Sequence, residues 1–185
     1  METINNPLRT LAVLVDNEAG VLSQISRMFS RKGYNIESLA VGPTDNEAIS
    51  RITIEVFAND DQIELLANQL RKLFPVHSVK LLAPNHSIRR ELVLIKVRAK
   101  TTAARSEIIQ IATIFRATII DVSVNSLTVA VIGTENKQDG LQKMLEPLGI
   151  MELVRTGIVA LERGAYTLDE ETKAKREFNL GKNVV

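Results

Sequence analysis

The sequence predicts an α+β fold made of two successive βαββαβ units. Short segments rich in apolar and β-branched residues, typical of strands, alternate with segments whose apolar residues recur at helical spacing. The second half of the chain repeats the order of the first half after the turn-prone run PNHS at residues 84–87. A chain of 185 residues is long enough for two small domains of this kind.

The first half opens with an unbroken apolar run at residues 11–15, as expected for a strand that is buried on both faces. Each of the two predicted helices carries its apolar residues on a single stripe. The predicted strands of this half are residues 9–15, 35–42, 48–57 and 76–82, and its predicted helices are residues 21–32 and 61–73.

The second half shows the same order of strands and helices with a different amino-acid sequence. Its predicted strands are residues 91–97, 118–124, 126–132 and 151–161, and its predicted helices are residues 103–115 and 137–146. With right-handed crossovers, each βαββαβ unit forms a four-stranded antiparallel sheet with both helices on one face, the ferredoxin-like arrangement. We therefore predict domains at residues 1–84 and 85–164. A charged tail follows at residues 165–185, either a docking element or a solvated end.

Both predicted sheets have one face that the helices leave open. Residues 11–15 and 92–95 are apolar at consecutive positions, so both faces of these strands favour burial. Exposing such side chains forgoes about 1.5–3 kcal/mol each. We expect self-association of the first half, giving a homodimer or a larger assembly. The alternative is that the C-terminal strand and the tail cover the open face.

Two asparagines, Asn17 and Asn35, lie at junctions between loops and predicted elements. Asn17 stands beside the N-terminus of the first helix, whose exposed N–H groups attract a carboxylate. An amide offers both a donor and an acceptor, so it can meet either end of a zwitterion. Gly20 is expected where a Cβ would crowd a ligand or the turn itself. The alternative is that these residues form an ordinary turn without a ligand. The predicted site for an amino-acid effector comprises Asn17, Gly20, Val21, Leu22, Asn35 and Ile36.

Catalytic and metal-binding patterns are missing from the sequence. There is no cysteine, and the two histidines, His77 and His86, lie on different predicted elements. Carboxylates gather at predicted helix starts, where the helix dipole explains them. No glycine-rich phosphate loop occurs. We predict that the chain has no catalytic residues and no metal site.

The charge balance argues against several kinds of partner. The chain has 23 basic and 22 acidic residues, a net charge of +1 and 4% aromatic residues, so we expect no nucleic-acid or membrane binding. No window reaches the roughly 18 apolar residues of a membrane span. The start METINNPLRT lacks a secretory pattern. A cytoplasmic location is predicted, although a processed organellar form would look the same.

A longer run of residues carries a family resemblance. The segment DNEAGVLSQISRMFSRKGYNIESLAVGPTD, at residues 16–45, resembles the N-terminal ACT domain of the regulatory (small) subunit of acetolactate synthase, also called acetohydroxyacid synthase. The similarity continues in order through SRITIEV, RELVLIKV, IFRATIIDVS and RTGIVALERG. The similarity covers residues 8–164, so it is far more specific than a lone Asn-x-x-Gly turn would be.

The resemblance implies a non-catalytic subunit of branched-chain amino-acid biosynthesis. Such a subunit binds the large catalytic subunit, raises its activity and confers feedback inhibition, with valine as the expected effector at an ACT–ACT interface. Thiamine diphosphate, Mg²⁺ and FAD would belong to the catalytic partner, and we expect no cofactor in this chain. An apolar pocket separates ligands that differ by one methylene by only about 1–3 kcal/mol, so leucine and isoleucine remain alternatives.

The second half lacks the features that define the predicted effector site. After its first strand it reads RAKTTA at residues 98–103, without Asn-x-x-Gly, and its second strand has no counterpart of Tyr34-Asn35. We therefore place the effector site in the first half and give the second half a structural or partner-binding role. Two alternative functions remain: a stand-alone amino-acid sensor that controls another enzyme or a regulator, and an independent enzyme.

Overall fold

The computed structural model describes residues 6–168, so the residues of the predicted tail after 168 lie outside the described part. The chain divides into two compact units. Within the described residues, the first unit comprises residues 6–88 and 158–168, and the second comprises Arg89–Gly157. Residues 158–164, assigned to the second domain from the sequence, therefore group with the first unit.

The first unit contains the βαββαβ order that the sequence predicts. The elements are β1 (Leu8–Asp16), α1 (Val21–Arg31), β2 (Ser38–Pro43), β3 (Ile49–Phe57), α2 (Asp60–Leu70) and β4 (Val76–Leu82). The four strands form one antiparallel sheet in the order β2-β3-β1-β4.

One face of this sheet packs against the two helices. Leu11, Val13 and Val15 of β1 point into this core and are almost fully buried. Ile25 and Phe29 of α1 pack in the same cluster, as the apolar stripe of the helix predicts. A capping box between Asn59 and Gln62 begins α2.

The second unit repeats the order with its own sheet and core. The elements are β5 (Ser87–Arg98), α3 (Thr102–Ile114), β6 (Thr118–Val122), β7 (Ser126–Gly133), α4 (Glu135–Leu145) and β8 (Ile150–Arg155). The strands of this sheet follow the order β6-β7-β5-β8, and the buried side of β5 packs against α3 and α4. The longest described helix has 13 residues, so none of the described helices is long enough to cross a bilayer.

The predicted strand at residues 151–161 is wrong as a single strand. It is two strands, β8 and β9 (Val159–Glu162), separated by a turn in which Gly157 has a φ of 77°. That left-handed conformation suits glycine and allows the chain to change direction. β9 pairs with β5, whose first two residues, like β9 itself, belong to the first unit.

The segment of residues 158–168, called the return segment below, covers the second face of the first sheet. Ile158, Ala160 and Leu168 pack against Ala12 and Leu14 of β1, which are 0% and 6% exposed. The alternative that the C-terminal strand covers this face is therefore the observed arrangement. Both apolar faces of β1 are buried within one chain, so this strand no longer argues for self-association. The homodimer remains a prediction that rests on the family resemblance.

Candidate functional site

The turn between β1 and α1 exposes the N-terminus of α1. Gly20 precedes the helix with a φ of 89°, and no side chain caps the first turn. The Val21 N–H makes only a long hydrogen bond of 3.4 Å to the Glu18 carbonyl. A Cβ at Gly20 would have no neighbour within 4 Å, so the φ angle, rather than crowding within this chain, explains the glycine. Unsatisfied N–H groups and the helix dipole make this end attractive to a carboxylate.

The corresponding helix of the second unit begins differently. The Thr101 hydroxyl accepts a hydrogen bond from the Ala104 N–H at 3.1 Å and caps α3. A capped first turn has fewer N–H groups for a ligand than an uncapped one. This contrast supports placing the effector site in the first unit.

Two hydrogen bonds fix the side chain of Asn17. Its Nδ2 donates to the Glu47 carbonyl at 2.9 Å, and the Ser50 hydroxyl donates to its Oδ1 at 3.0 Å. The Asn17 backbone N–H also donates to the Ala48 carbonyl at 2.8 Å. The exposed amide therefore keeps one N–H and one lone pair for a ligand, in a defined orientation.

Sequence reasoning missed these supporting residues. Glu47 and Ser50 are distant from Asn17 in sequence and meet it only because β1 and β3 pair in register. It also missed His77, whose Nε2 lies 2.6 Å from Asp16 Oδ1 at the end of β1. The turn that carries Asn17 is thus anchored on both neighbouring strands. The predicted βαββαβ order places the first and third strands side by side, and this is the signal that could have indicated Ser50.

Val21 and Leu22 follow the turn with different roles. The Val21 side chain is 5% exposed and belongs to the core, so only its backbone is available to a ligand. The Leu22 side chain is 41% exposed and lies at the surface. Of the predicted group, Asn17, Gly20 and Leu22 are thus exposed, and Val21 offers only its backbone.

Asn35 and Ile36 lie after α1, at the approach to β2. Asn35 is exposed, and its Nδ2 donates to Glu37 Oε1 at 2.7 Å. Ile36 is half-buried against the core of the first unit. The strand predicted to open at Asn35 begins instead at Ser38.

The strand register separates these two groups. Asp16 at the end of β1 pairs with Ile49 of β3, whereas Ser38 at the start of β2 pairs with Glu55, which in turn pairs with Thr10. Asn35 therefore lies at the end of the sheet where β1 begins, and Asn17 lies at the end where β1 stops. At about 3.3 Å per residue, the two ends are roughly 20 Å apart. One copy of the chain cannot place both amides on one amino acid.

Outside this turn, a second polar cluster joins two elements of the second unit. Within residues 6–168 no group of three or more His, Asp or Glu side chains is arranged to hold a metal ion. In the second unit Arg155 donates to Asp139 at 2.7 Å and to Gln142 at 3.0 Å, and these contacts join β8 to α4. The hydrogen bond to Asp139 raises the pKa of Arg155.

Comparison with known proteins agrees with this architecture. Residues 11–78 match the family described as the AHAS small subunit-like ACT domain, and residues 90–164 match the small subunit of acetolactate synthase. The acetolactate synthase small subunit of Mycolicibacterium smegmatis is 45% identical over 158 residues, which are 85% of this chain and 92% of the relative. That of Aquifex aeolicus is 42% identical over 163 residues, 88% of this chain and 85% of the relative.

A solved structure supports the same assignment. The crystal structure of the acetolactate synthase small subunit from Thermotoga maritima matches with a TM-score of 0.81 at 34% identity. The match covers 86% of this chain and 99% of that one. Sequence, fold and domain order therefore agree, and the chain belongs to the acetolactate synthase small-subunit family.

Proposed function

We propose that this chain is a non-catalytic regulatory subunit that binds the large catalytic subunit of acetolactate synthase. In this role it raises the activity of that subunit and makes it sensitive to a branched-chain amino acid, with valine as the first candidate. Thiamine diphosphate, Mg²⁺ and FAD would be held by the catalytic subunit, in the cytoplasm. The names of the relatives support this proposal, because a small subunit implies a larger partner.

The observation that carries the proposal is the uncapped start of α1 beside a fixed amide. The N–H groups after Gly20 can receive a carboxylate, and the oriented Asn17 amide can bind an adjacent charged group. This pairing of donors suits an amino acid and includes no nucleophile with an adjacent base.

The second amide must come from another copy of the chain. Because Asn35 lies at the opposite end of the sheet, both asparagines can contact one ligand only where two first units meet. The amino acid would then bind across this interface, with Ile36 contributing apolar surface to its side chain. An effector bound between two copies changes how those copies meet, which gives a route for regulation.

The second unit supplies the remaining surface of the proposed subunit. On the face of its sheet away from the helices, Leu92 and Leu94 are half-buried, and Ile132 and Val154 are 64% and 51% exposed. We assign this unit a structural or partner-binding role. Coupling of about 1–3 kcal/mol between effector and partner would give roughly 5–150-fold regulation.

Reconstitution tests the proposal directly. The purified chain alone should produce no acetolactate, whereas its addition to the large subunit from the same cell should raise turnover and introduce inhibition by valine. Turnover by the lone chain would contradict the proposal. So would the absence of any effect on every thiamine-dependent synthase of that cell.

The alternative function is a stand-alone amino-acid sensor that controls another enzyme or a regulator. The same candidate site favours it, since the site needs only an amino acid and a second copy. Affinity purification from the source cell separates the two proposals. A large thiamine-dependent subunit should co-purify with a regulatory subunit and not with an independent sensor.

A further inference from the structure

The first unit contains a cavity that is separate from the turn described above. It has a volume of about 500 Å³ and lies on the face of the sheet that the return segment covers. Its apolar lining includes Leu14, Ile49 and Leu82, and its polar lining includes Arg51 and Glu162. Ligand sites are commonly of this size and have a few polar groups placed among apolar side chains.

Arg51 is a cation in this cavity that has unused hydrogen-bond donors. It faces the cavity from β3, beside Leu14 in the register, and its Nη2 donates to the Ala160 carbonyl at 2.6 Å. Burial lowers the pKa of Arg51, but an arginine stays protonated. Among residues 6–168 it forms no ion pair with a carboxylate. Most of its five N–H donors are therefore left for another acceptor.

The other charged residues of the cavity indicate which kind of anion can bind to Arg51. Lys80 forms an ion pair with Glu162, and its ammonium lies 5.9 Å from the centre of the Tyr166 ring. Asp45 adds a second carboxylate to the lining. Two carboxylates repel a dianion such as phosphate more strongly than a monoanion. The planar guanidinium of Arg51 can bind a single carboxylate through two parallel hydrogen bonds.

We propose that this cavity binds a small aliphatic carboxylate, with its carboxylate on Arg51 and its hydrocarbon part against Leu14, Ile49 and Leu82. This chemistry is shared by aliphatic amino acids and by aliphatic 2-oxo acids. The site lies within one copy of the chain, unlike the proposed effector site, and does not depend on it.

One turn connects the cavity with the effector turn. Thr44, Asp45 and Asn46 line the cavity, and the carbonyl of Glu47, the next residue, accepts the hydrogen bond from Asn17. A ligand in the cavity therefore contacts the same turn that orients Asn17. Occupation of the cavity should change the affinity of the effector site for valine. Bound valine should change the affinity of the cavity for its carboxylate ligand by the same factor. This coupling rests on the proposed function, whereas carboxylate binding does not.

Calorimetry on the full chain without the catalytic subunit tests the cavity. The probes are 3-methylbutanoate, 3-methyl-2-oxobutanoate, valine and inorganic phosphate. We expect the first two to bind, and Arg51→Gln to weaken their binding at least tenfold. Arg71→Gln is the matched control, since Arg71 also donates to a backbone carbonyl, at 3.0 Å to Val79, but does not line the cavity. If valine binds at the cavity as well, its titration should show a component that Arg51→Gln removes and Asn17→Ala leaves in place.

Amide chemical shifts of the wild-type chain give a readout that needs no variant. With 3-methylbutanoate the largest changes should occur at residues 44–46 and at Leu161, which line the cavity. Binding that Arg51→Gln leaves unchanged would overturn the proposal. So would no binding at millimolar concentration, or phosphate binding as tight as carboxylate binding. Each of these results is independent of whether the chain regulates a synthase.

Discussion

Asn17 and Asn35 lie at opposite ends of the same four-stranded sheet, roughly 20 Å apart by the rise of β-strands. Asn17 follows β1, and Asn35 precedes β2, which runs parallel to β1 with β3 between them. An amino acid is too small to reach both amides of one chain. The relationship leads us to propose a site shared between two copies, which also explains how a ligand of this size can alter a subunit interface.

The first prediction concerns the amide at the end of β1. Replacing Asn17 with Ala removes a hydrogen bond to a charged group of the ligand, worth about 1.5–3 kcal/mol. Valine affinity should therefore fall about 10–150-fold, while activation of the catalytic subunit persists. Valine binding by calorimetry and a valine inhibition curve of the reconstituted complex measure the two effects.

Asn68→Ala is the control for that substitution. Asn68 is also exposed, and its side chain accepts a hydrogen bond from Arg71 at the surface of α2. It should leave both valine measurements unchanged. If Asn17→Ala matches the wild type in binding and in inhibition, the effector binds elsewhere.

The second prediction concerns the residue that orients Asn17. Ser50→Ala removes the hydroxyl that donates to Asn17 Oδ1 at 3.0 Å. Valine affinity should fall about 2–12-fold, the effect of one neutral hydrogen bond of about 0.5–1.5 kcal/mol. The loss should be smaller than that of Asn17→Ala, because the ligand contact itself remains.

Ser78→Ala is the matched control. The Ser78 hydroxyl is similarly buried and donates to the Leu168 carbonyl at 2.8 Å, away from the Asn17 turn. It should lower stability without changing valine affinity. Equal losses of valine affinity in the two variants would mean that Ser50 acts through general stability.

Local patterns predicted the elements of both units well. Helical spacing placed α1 and α2 within a few residues of their observed bounds. The same reasoning failed at Gly157, where one predicted strand is two. A glycine turn inside an apolar segment gives no periodic signal, so the break in this strand was not predicted, although covering of the open face by the C-terminal strand was kept as an alternative.

Contacts between distant segments set the rest of the candidate site. Asn17 and Gly20 were predictable because a turn and a helix start are local features. Ser50 and Glu47 were not, since their approach to Asn17 depends on the register of β1 and β3. The separation of Asn17 from Asn35 follows in part from the intervening α1, whose 11 residues span about 16 Å.

The third prediction concerns the cover of the first sheet. Ile158 is 8% exposed and packs against the face of β1 that carries Ala12 and Leu14. Ile158→Ala should lower the free energy of unfolding of the first unit by about 2–5 kcal/mol, because it leaves a cavity in this small cluster. Chemical denaturation of the full chain measures the change.

The neighbouring residue provides the control for this test. Val159 is 54% exposed, and Val159→Ala should change stability by no more than about 0.5 kcal/mol. Similar losses for both variants would show that the return segment does not cover the sheet as described. A fragment of residues 1–84 would lack the return segment and would expose Ala12 and Leu14. Sedimentation that tests for a dimer should therefore use the full chain.

The shared effector site is tested most directly with mixed dimers. One chain carries Asn17→Ala, the other carries Asn35→Ala, and two different tags allow dimers that contain both chains to be purified. If each site takes Asn17 from one copy and Asn35 from the other, one of the two sites keeps both asparagines and the other loses both. If each chain builds its own site, every site lacks one asparagine.

Calorimetric titration with valine distinguishes the two arrangements by stoichiometry. We predict one valine per mixed dimer at wild-type affinity. The reference dimer, which joins a wild-type chain to an Asn17→Ala, Asn35→Ala chain, should bind none at that affinity. The opposite result, with no wild-type site in the first dimer and one in the reference dimer, would contradict a site shared between two copies.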